Sequence, residues 1–91
     1  MNIISIQKLK ENLKTFISKN ILINQRGFIE TYFQINNFDY KIEYELLKIY
    51  DKNSKNFIIT NLNQVYNIIY TSEKIKLHLD NDTTISIEIK R

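Results

Sequence analysis

A chain of 91 residues, 43% hydrophobic and 25% charged with a formal net charge of +3, is sized for one small globular domain, residues 1–91, with a modest core. It has no cysteine, which excludes a disulfide framework and a thiolate metal site, and no run of about 18 apolar residues that would span a membrane. The early run NIISI is interrupted by Ser5, Gln7 and Lys8 before it reaches signal-peptide length, so the protein is read as cytoplasmic and not membrane-bound. Ile, Asn, Lys, Tyr and Phe dominate, Ala and Pro are absent, and Arg occurs twice. Those preferences follow the codons of an A+T-rich genome, which favours Lys as the cation whatever the function, so the positive total is a weak sign of nucleic-acid binding. A short chain opening at Met1 in such a genome fits a bacterial or phage small protein.

In chain order, Ile6, Leu9, Leu13, Phe16 and Ile17 recur at helical spacing and predict an amphipathic helix from about Ile3 to Lys19. Lys10 and Lys14 border its apolar arc on one side, Lys8 and Lys19 on the other, with ammonium groups in water. From Ile21 the period changes to two, and β-branched and aromatic residues gather, which predicts a meander of antiparallel strands. A three-residue loop, Gln25-Arg26-Gly27, sets Ile23 against Ile29 and Ile21 against Thr31, with Gly27 at the positive φ of a G1 bulge. A two-residue turn at Asn36-Asn37 then sets Ile35 against Phe38, Phe33 against Tyr40, Thr31 against Ile42 and Ile29 against Tyr44, all on the core face. The phase slips at Leu46-Leu47, as at a bulge. DKNSKN after Tyr50 is an exposed turn and FIIT a further strand. Asn61, with Gln64 three residues on, predicts the cap of a second short helix carrying Leu62, Val65, Tyr66 and Ile69 on one face, although VYNIIY also has the composition of a strand. KIKLHL and TISIEIK alternate around DNDT and predict a closing hairpin. The expected fold is α+β: an antiparallel sheet of about five to six strands in hairpins and a meander, the N-terminal amphipathic helix across one face, and a second short helix.

Motifs for chemistry are sparse. QRGFIETYF shares Arg26, Gly27, Phe28 and Phe33 with the RNP1 pattern of RNA-recognition domains, but Glu30 stands where a stacking aromatic is required and the motif opens a first hairpin instead of lying on a third strand. Asp39-Tyr40-Lys41 with Glu30 and Glu43 is similar to the acid-x-Lys string of some Mg²⁺-dependent nucleases. Asp39 and Glu43 are nevertheless four residues apart on one strand, too far at about 3.3 Å per residue to share an ion, so a metal-dependent nuclease is the least favoured reading. His78 has no acid or nucleophile companion, and Asp80-Asn81-Asp82 lacks the spacing and terminal Glu of a calcium loop. The chain is expected to be non-enzymatic, with no catalytic, metal-binding or cofactor-binding residues. Tyr40, Tyr44, Tyr50, Tyr66 and Tyr70 are expected to fill the core with hydroxyls at its rim, and Tyr32 to be exposed.

Charge is segregated along the chain. Between Phe28 and Asp51 five carboxylates face two lysines, whereas Met1 to Gly27 holds five cations and one acid, Glu11. In the expected register the outward row is Phe28, Glu30, Tyr32, Asp39, Lys41, Glu43 and Glu45, with Tyr32 opposite Lys41, Glu30 opposite Glu43 and Gln34 opposite Asp39. Such an acidic strip with aromatics suits a protein partner with a basic groove. In size and in its lack of catalytic motifs the chain resembles phage and mobile-element inhibitors of host nucleases, anti-CRISPR proteins among them, a resemblance of general character carried by no motif. It implies an inhibitor or regulator of a basic-grooved partner. The alternative is a nucleic-acid-binding accessory protein that uses Lys8, Lys10, Lys14, Lys19 and Arg26.

Overall fold

The computed structural model describes residues 5–27 and 29–90. Among them are one α-helix, one 3-10 turn and eight strands, which form two antiparallel sheets around a continuous core. The α+β class is as expected, but the single sheet of five to six strands is replaced by sheets of five and three.

Ser5 caps helix α1 (Ile6–Lys14): its backbone is extended, and its hydroxyl accepts from the Lys8 amide at 3.1 Å, satisfying one of the donors that a helix start leaves free. The helix buries Leu9 and Leu13 and ends at Lys14, short of the predicted Lys19. There the Thr15 hydroxyl turns back onto the Asn12 carbonyl at 2.8 Å, and the chain tightens to a positive φ at Ser18. Phe16 still reaches the core, edge-on to Phe38 with ring centres 6.3 Å apart. The apolar period therefore continues past the helix that it implied.

In chain order the strands are β1 (Ile21–Arg26), β2 (Thr31–Ile35), β3 (Phe38–Glu43), β4 (Leu46–Asp51), β5 (Phe57–Asn61), β6 (Val65–Tyr70), β7 (Lys74–Leu79) and β8 (Thr84–Ile89). The five-stranded sheet has the order β2-β1-β8-β7-β6 and the three-stranded sheet β3-β4-β5. The expected closing hairpin forms, with Ile75 opposite Ile87 and Leu77 opposite Ile85. β1 lies against β8, Ile21 on Ile89 and Ile23 on Ile87.

The β1–β2 pair forms in a different register, Ile21 opposite Ile35 and Ile23 opposite Phe33. The shift of partner is even, so each strand keeps its inner and outer faces, but the connection lengthens and Ile29 moves from the expected core to 63% exposure. Gly27 has no positive φ, so the G1 bulge is absent. Glycine is needed there for close approach: a Cβ would sit 2.8 Å from the Thr83 Oγ1 and 3.2 Å from the Thr83 Cα.

Asn36-Asn37 is likewise no hairpin turn, because β2 and β3 belong to different sheets. The apolar set on β3 finds an equally good match on β4, with Tyr40 opposite Ile49 and Ile42 opposite Leu47. Asp51, 6% exposed, fastens the crossover: its Oδ2 accepts from the Asn36 amide at 3.1 Å and its Oδ1 from the Asn53 amide at 2.9 Å. The two-residue turn occurs instead at Tyr44-Glu45, with φ of 53° and 85°, both positive as a type I′ hairpin requires. That turn accounts for the phase slip at Leu46-Leu47, where no bulge is present.

The second helix shrinks to the 3-10 turn Leu62–Gln64, capped by the Asn61 side chain accepting from the Asn63 amide at 2.9 Å. Beyond it the β-branched and aromatic run VYNIIY pairs with β7, so strand propensity prevails over the capping signal. Among the described residues no helix is long and apolar enough to cross a membrane.

Candidate functional site

The outward face of β3-β4-β5 is a small grid fixed by register. Asp39, Lys41 and Glu43 stand on β3, opposite Tyr50, Lys48 and Leu46 on β4, which stand opposite Phe57, Ile59 and Asn61 on β5. The inward face carries Phe38, Leu47 and Ile49, all fully buried, with Thr60 and Asp51. A strand that has spent its apolar residues on the core is expected to be polar outside. Here the outside keeps Leu46, Phe57 and Ile59 at 45%, 55% and 52% exposure, and Tyr44 in the β3–β4 turn is exposed at 92%.

Polar side chains frame those apolar ones. The Lys48 ammonium lies 4.8 Å from the centre of the Phe57 ring and 5.6 Å from that of Tyr50, within cation–π range of both. Lys41 and Glu43 form an ion pair at 2.6 Å, and the hydrogen bond to that carboxylate, reinforced by its charge, holds Lys41 above its ordinary pKa. Tyr50 donates to the Asp39 Oδ2 at 3.2 Å; burial pushes its phenol up, and the neighbouring Asp39 charge adds to the shift. Glu45 accepts from the Asn63 side-chain amide, which ties the exposed turn to the loop after β5. Between these groups lies a shallow depression of about 220 Å³ lined by Lys41, Glu43, Leu46, Lys48 and Ile59.

The predicted partner-binding strip is divided by the fold. Asp39, Lys41 and Glu43 share the face just described and Glu45 is in its turn, but Tyr32 lies on β2 of the other sheet, opposite Asn24. Glu30 precedes β2 and pairs with Arg26 at 3.6 Å, both exposed. The expected contacts of Tyr32 with Lys41, Glu30 with Glu43 and Gln34 with Asp39 do not form, and Phe28 lies outside the described residues. Of the basic set, Lys8 sits over the Tyr70 ring at 4.9 Å, on one flank of the buried Leu9–Leu13 stripe, and Lys10 and Lys14 are on the other. Lys19 follows the helix and Arg26 belongs to the five-stranded sheet.

Leu46, Phe57 and Ile59 were not singled out by the sequence, although FIIT places apolar residues on both parities of one strand and so announces a strand apolar on both sides. Tyr32 is exposed as expected. Tyr44, and Tyr66 at 59%, are exposed where core positions were expected, because one occupies the turn and the other a register shift in β6. Among the described residues no three His, Asp or Glu side chains converge to hold a metal ion.

Comparisons with protein families, with curated proteins and with solved structures gave no match to this chain.

Proposed function

We propose that the protein is a small non-enzymatic binding module of the cytoplasm, an inhibitor or regulator that docks through the outward face of β3-β4-β5. The observation that carries this reading is the exposure of Leu46, Phe57 and Ile59 on the outward face of the three-stranded sheet, with Tyr44 exposed in its hairpin turn. Full burial of one such side chain contributes about 1.5–3 kcal/mol before the cost of association, so the unused capacity of this face is concentrated there. Tyr and Phe are also the residue types that supply rigid contact area at interfaces. The rim favours a basic partner: Asp39, Glu43 and Glu45 outnumber Lys41 and Lys48 by one, and the Lys41–Glu43 ion pair removes one charge of each sign. An apolar surface bordered by basic side chains is complementary to it.

The test is site-specific photo-crosslinking at Tyr44 and Ile59 in the native host, with Lys76 on the other sheet as the control position. One protein should be captured from the first two sites and not from the third. Phe57→Ser with Ile59→Ser should abolish that capture, and Glu43→Lys with Glu45→Lys should slow association. Equal capture from all three positions, or capture insensitive to the double serine variant, would sink the reading.

A further inference from the structure

The outward face of the five-stranded sheet differs in composition from that of the three-stranded sheet. Its side chains follow from the pairing. Across β2, β1, β8, β7 and β6 one row reads Tyr32, Asn24, Ser86, Lys76 and Ile69, and the row beside it Arg26, Thr84, His78 and Asn67. Lys74 follows Lys76 on the same face of β7, opposite Glu88. Arg26, Lys74 and Lys76 surround a polar depression of about 380 Å³ whose remaining lining is Asn24, Thr84 and Ser86.

This arrangement combines three properties. The cations of two strands flank hydroxyl and amide groups, so charged and neutral donors point the same way, as recognition of phosphate oxygens requires. Among the described residues Arg26 is engaged by Glu30, in a pair exposed on both sides at 71% and 66%, and exposed pairs of that kind exchange readily for a better anion. Aromatic surfaces stand at both ends of the cationic strip: Tyr32, 65% exposed, on β2, and the Tyr66–His78 ring pair, with centres 6.2 Å apart, on β6 and β7. Three strand spacings, about 14 Å, separate Tyr32 from His78.

We infer that this face binds single-stranded nucleic acid, with backbone phosphates against Arg26, Lys74 and Lys76 and unstacked bases on Tyr32 and on the Tyr66–His78 pair. A sheet that offers ring faces at its ends and cations between them matches the way single strands are held, by stacking on exposed π surfaces and electrostatic tracking of the backbone. A duplex keeps its bases paired and stacked internally and would leave those rings unused. The helix lysines are not part of this site. The inference does not rest on the protein-docking reading, which concerns the other sheet.

The experiment is fluorescence anisotropy of the full chain with a labelled mixed-sequence oligonucleotide, single-stranded and then annealed to its complement, across a salt series. Three phosphate contacts predict a slope of log K against log salt of about −2 for the single strand, and tighter binding of it than of the duplex. Lys74→Gln with Lys76→Gln should weaken binding on the order of tenfold at low salt and flatten that slope. Tyr32→Ala should weaken it about five- to hundredfold with the slope unchanged, since stacking carries no counterion release. Lys10→Glu with Lys14→Glu, and Phe57→Ser with Ile59→Ser, should leave binding intact, each variant being checked for native melting. No binding at low salt, preference for the duplex, loss of binding in the helix variant, or indifference to Tyr32→Ala would each overturn the inference, the last by reducing the face to a general polyanion surface.

Discussion

The two sheets obey the same alternation rule to different degrees. In β7, Ile75, Leu77 and Leu79 point inward and Lys74, Lys76 and His78 outward, and β8 repeats the pattern with Ile85 and Ile87 against Thr84, Ser86 and Glu88. Ile69, at 47% exposure on β6, is an aliphatic departure on that outer face, where the rings of Tyr32 and Tyr66 are also exposed. The three-stranded sheet departs on both sides: Leu46, Phe57 and Ile59 are outside, while Asp51 and Thr60 are inside. Its hairpin turn is made by Tyr44 and Glu45, side chains that the left-handed region disfavours. Departures from local rules are expected to gather where something other than stability is served. The large sheet thus keeps a mainly polar and cationic outer face with aromatic rings at its ends, whereas the small one carries aliphatic side chains outside and polar ones inside.

The comparison breaks most decisively at Asp51. Although it lies in the small sheet, its two carboxylate oxygens hold amides of the crossover and of the β4–β5 turn. Asp51→Ala should cost about 2–3 kcal/mol by urea denaturation, since it strands two donors, and Asp51→Asn should cost less because one acceptor remains. A neutral Asp51→Ala would mean that the two sheets are not fastened together there.

A smaller effect belongs to the large sheet. Gly27→Ala should cost about 1–2 kcal/mol through overpacking against Thr83, whose carbonyl is fixed by the Leu79 amide at 2.8 Å. Thr83→Ala should recover part of that loss, a non-additive outcome in a double-mutant cycle. Purely additive costs would place the strain elsewhere than at the Thr83 hydroxyl.

Legibility in the sequence divides along the same line. The closing hairpin was readable because KIKLHL and TISIEIK are adjacent, cleanly alternating, and have no other partner of similar pattern nearby. The helix was readable from Leu9 and Leu13, while its end was not, since Phe16 keeps the helical period through a tighter turn. β3 went astray for a physical reason: Phe38, Tyr40 and Ile42 satisfy either β2 or β4, and nothing local decides between them. The true turn was hidden because Tyr44 and Glu45 carry none of the glycine or asparagine that marks positive φ, whereas Asn36-Asn37 carries the mark without the turn. Alternation along the strand together with charge suffices to put Asp39, Lys41 and Glu43 on one outward row. Their apolar neighbours Leu46, Phe57 and Ile59 required knowledge of which face of β4 and β5 points out.

The interior of the small sheet offers a third probe. The Thr60 hydroxyl is buried without a hydrogen-bond partner among the described residues, so Thr60→Val, nearly isosteric and equally suited to a strand, should raise stability by about 1 kcal/mol. Thr84→Val on the outer face of the large sheet should change it by no more than about 0.5 kcal/mol. Equal responses at the two positions would remove the contrast between the two sheets.

The smallest stability effect carries the most information about function. Replacing the turn by Tyr44→Asn with Glu45→Gly supplies the residues that a type I′ hairpin prefers, and removes two disfavoured left-handed conformations. Against that gain stand the extra freedom of glycine in the unfolded chain and the lost contact between Glu45 and Asn63, leaving a net stabilisation of about 0.5–1 kcal/mol. If Tyr44 and Glu45 are present only as tolerated turn residues, the variant should be more stable and bind its partner as before. If the turn is strained because its side chains are the contact, the melting temperature should rise while capture through the β3-β4-β5 face weakens. Opposite changes in the two measurements would identify the hairpin tip as the place where stability was exchanged for recognition, and a variant both less stable and fully competent to bind would refute that.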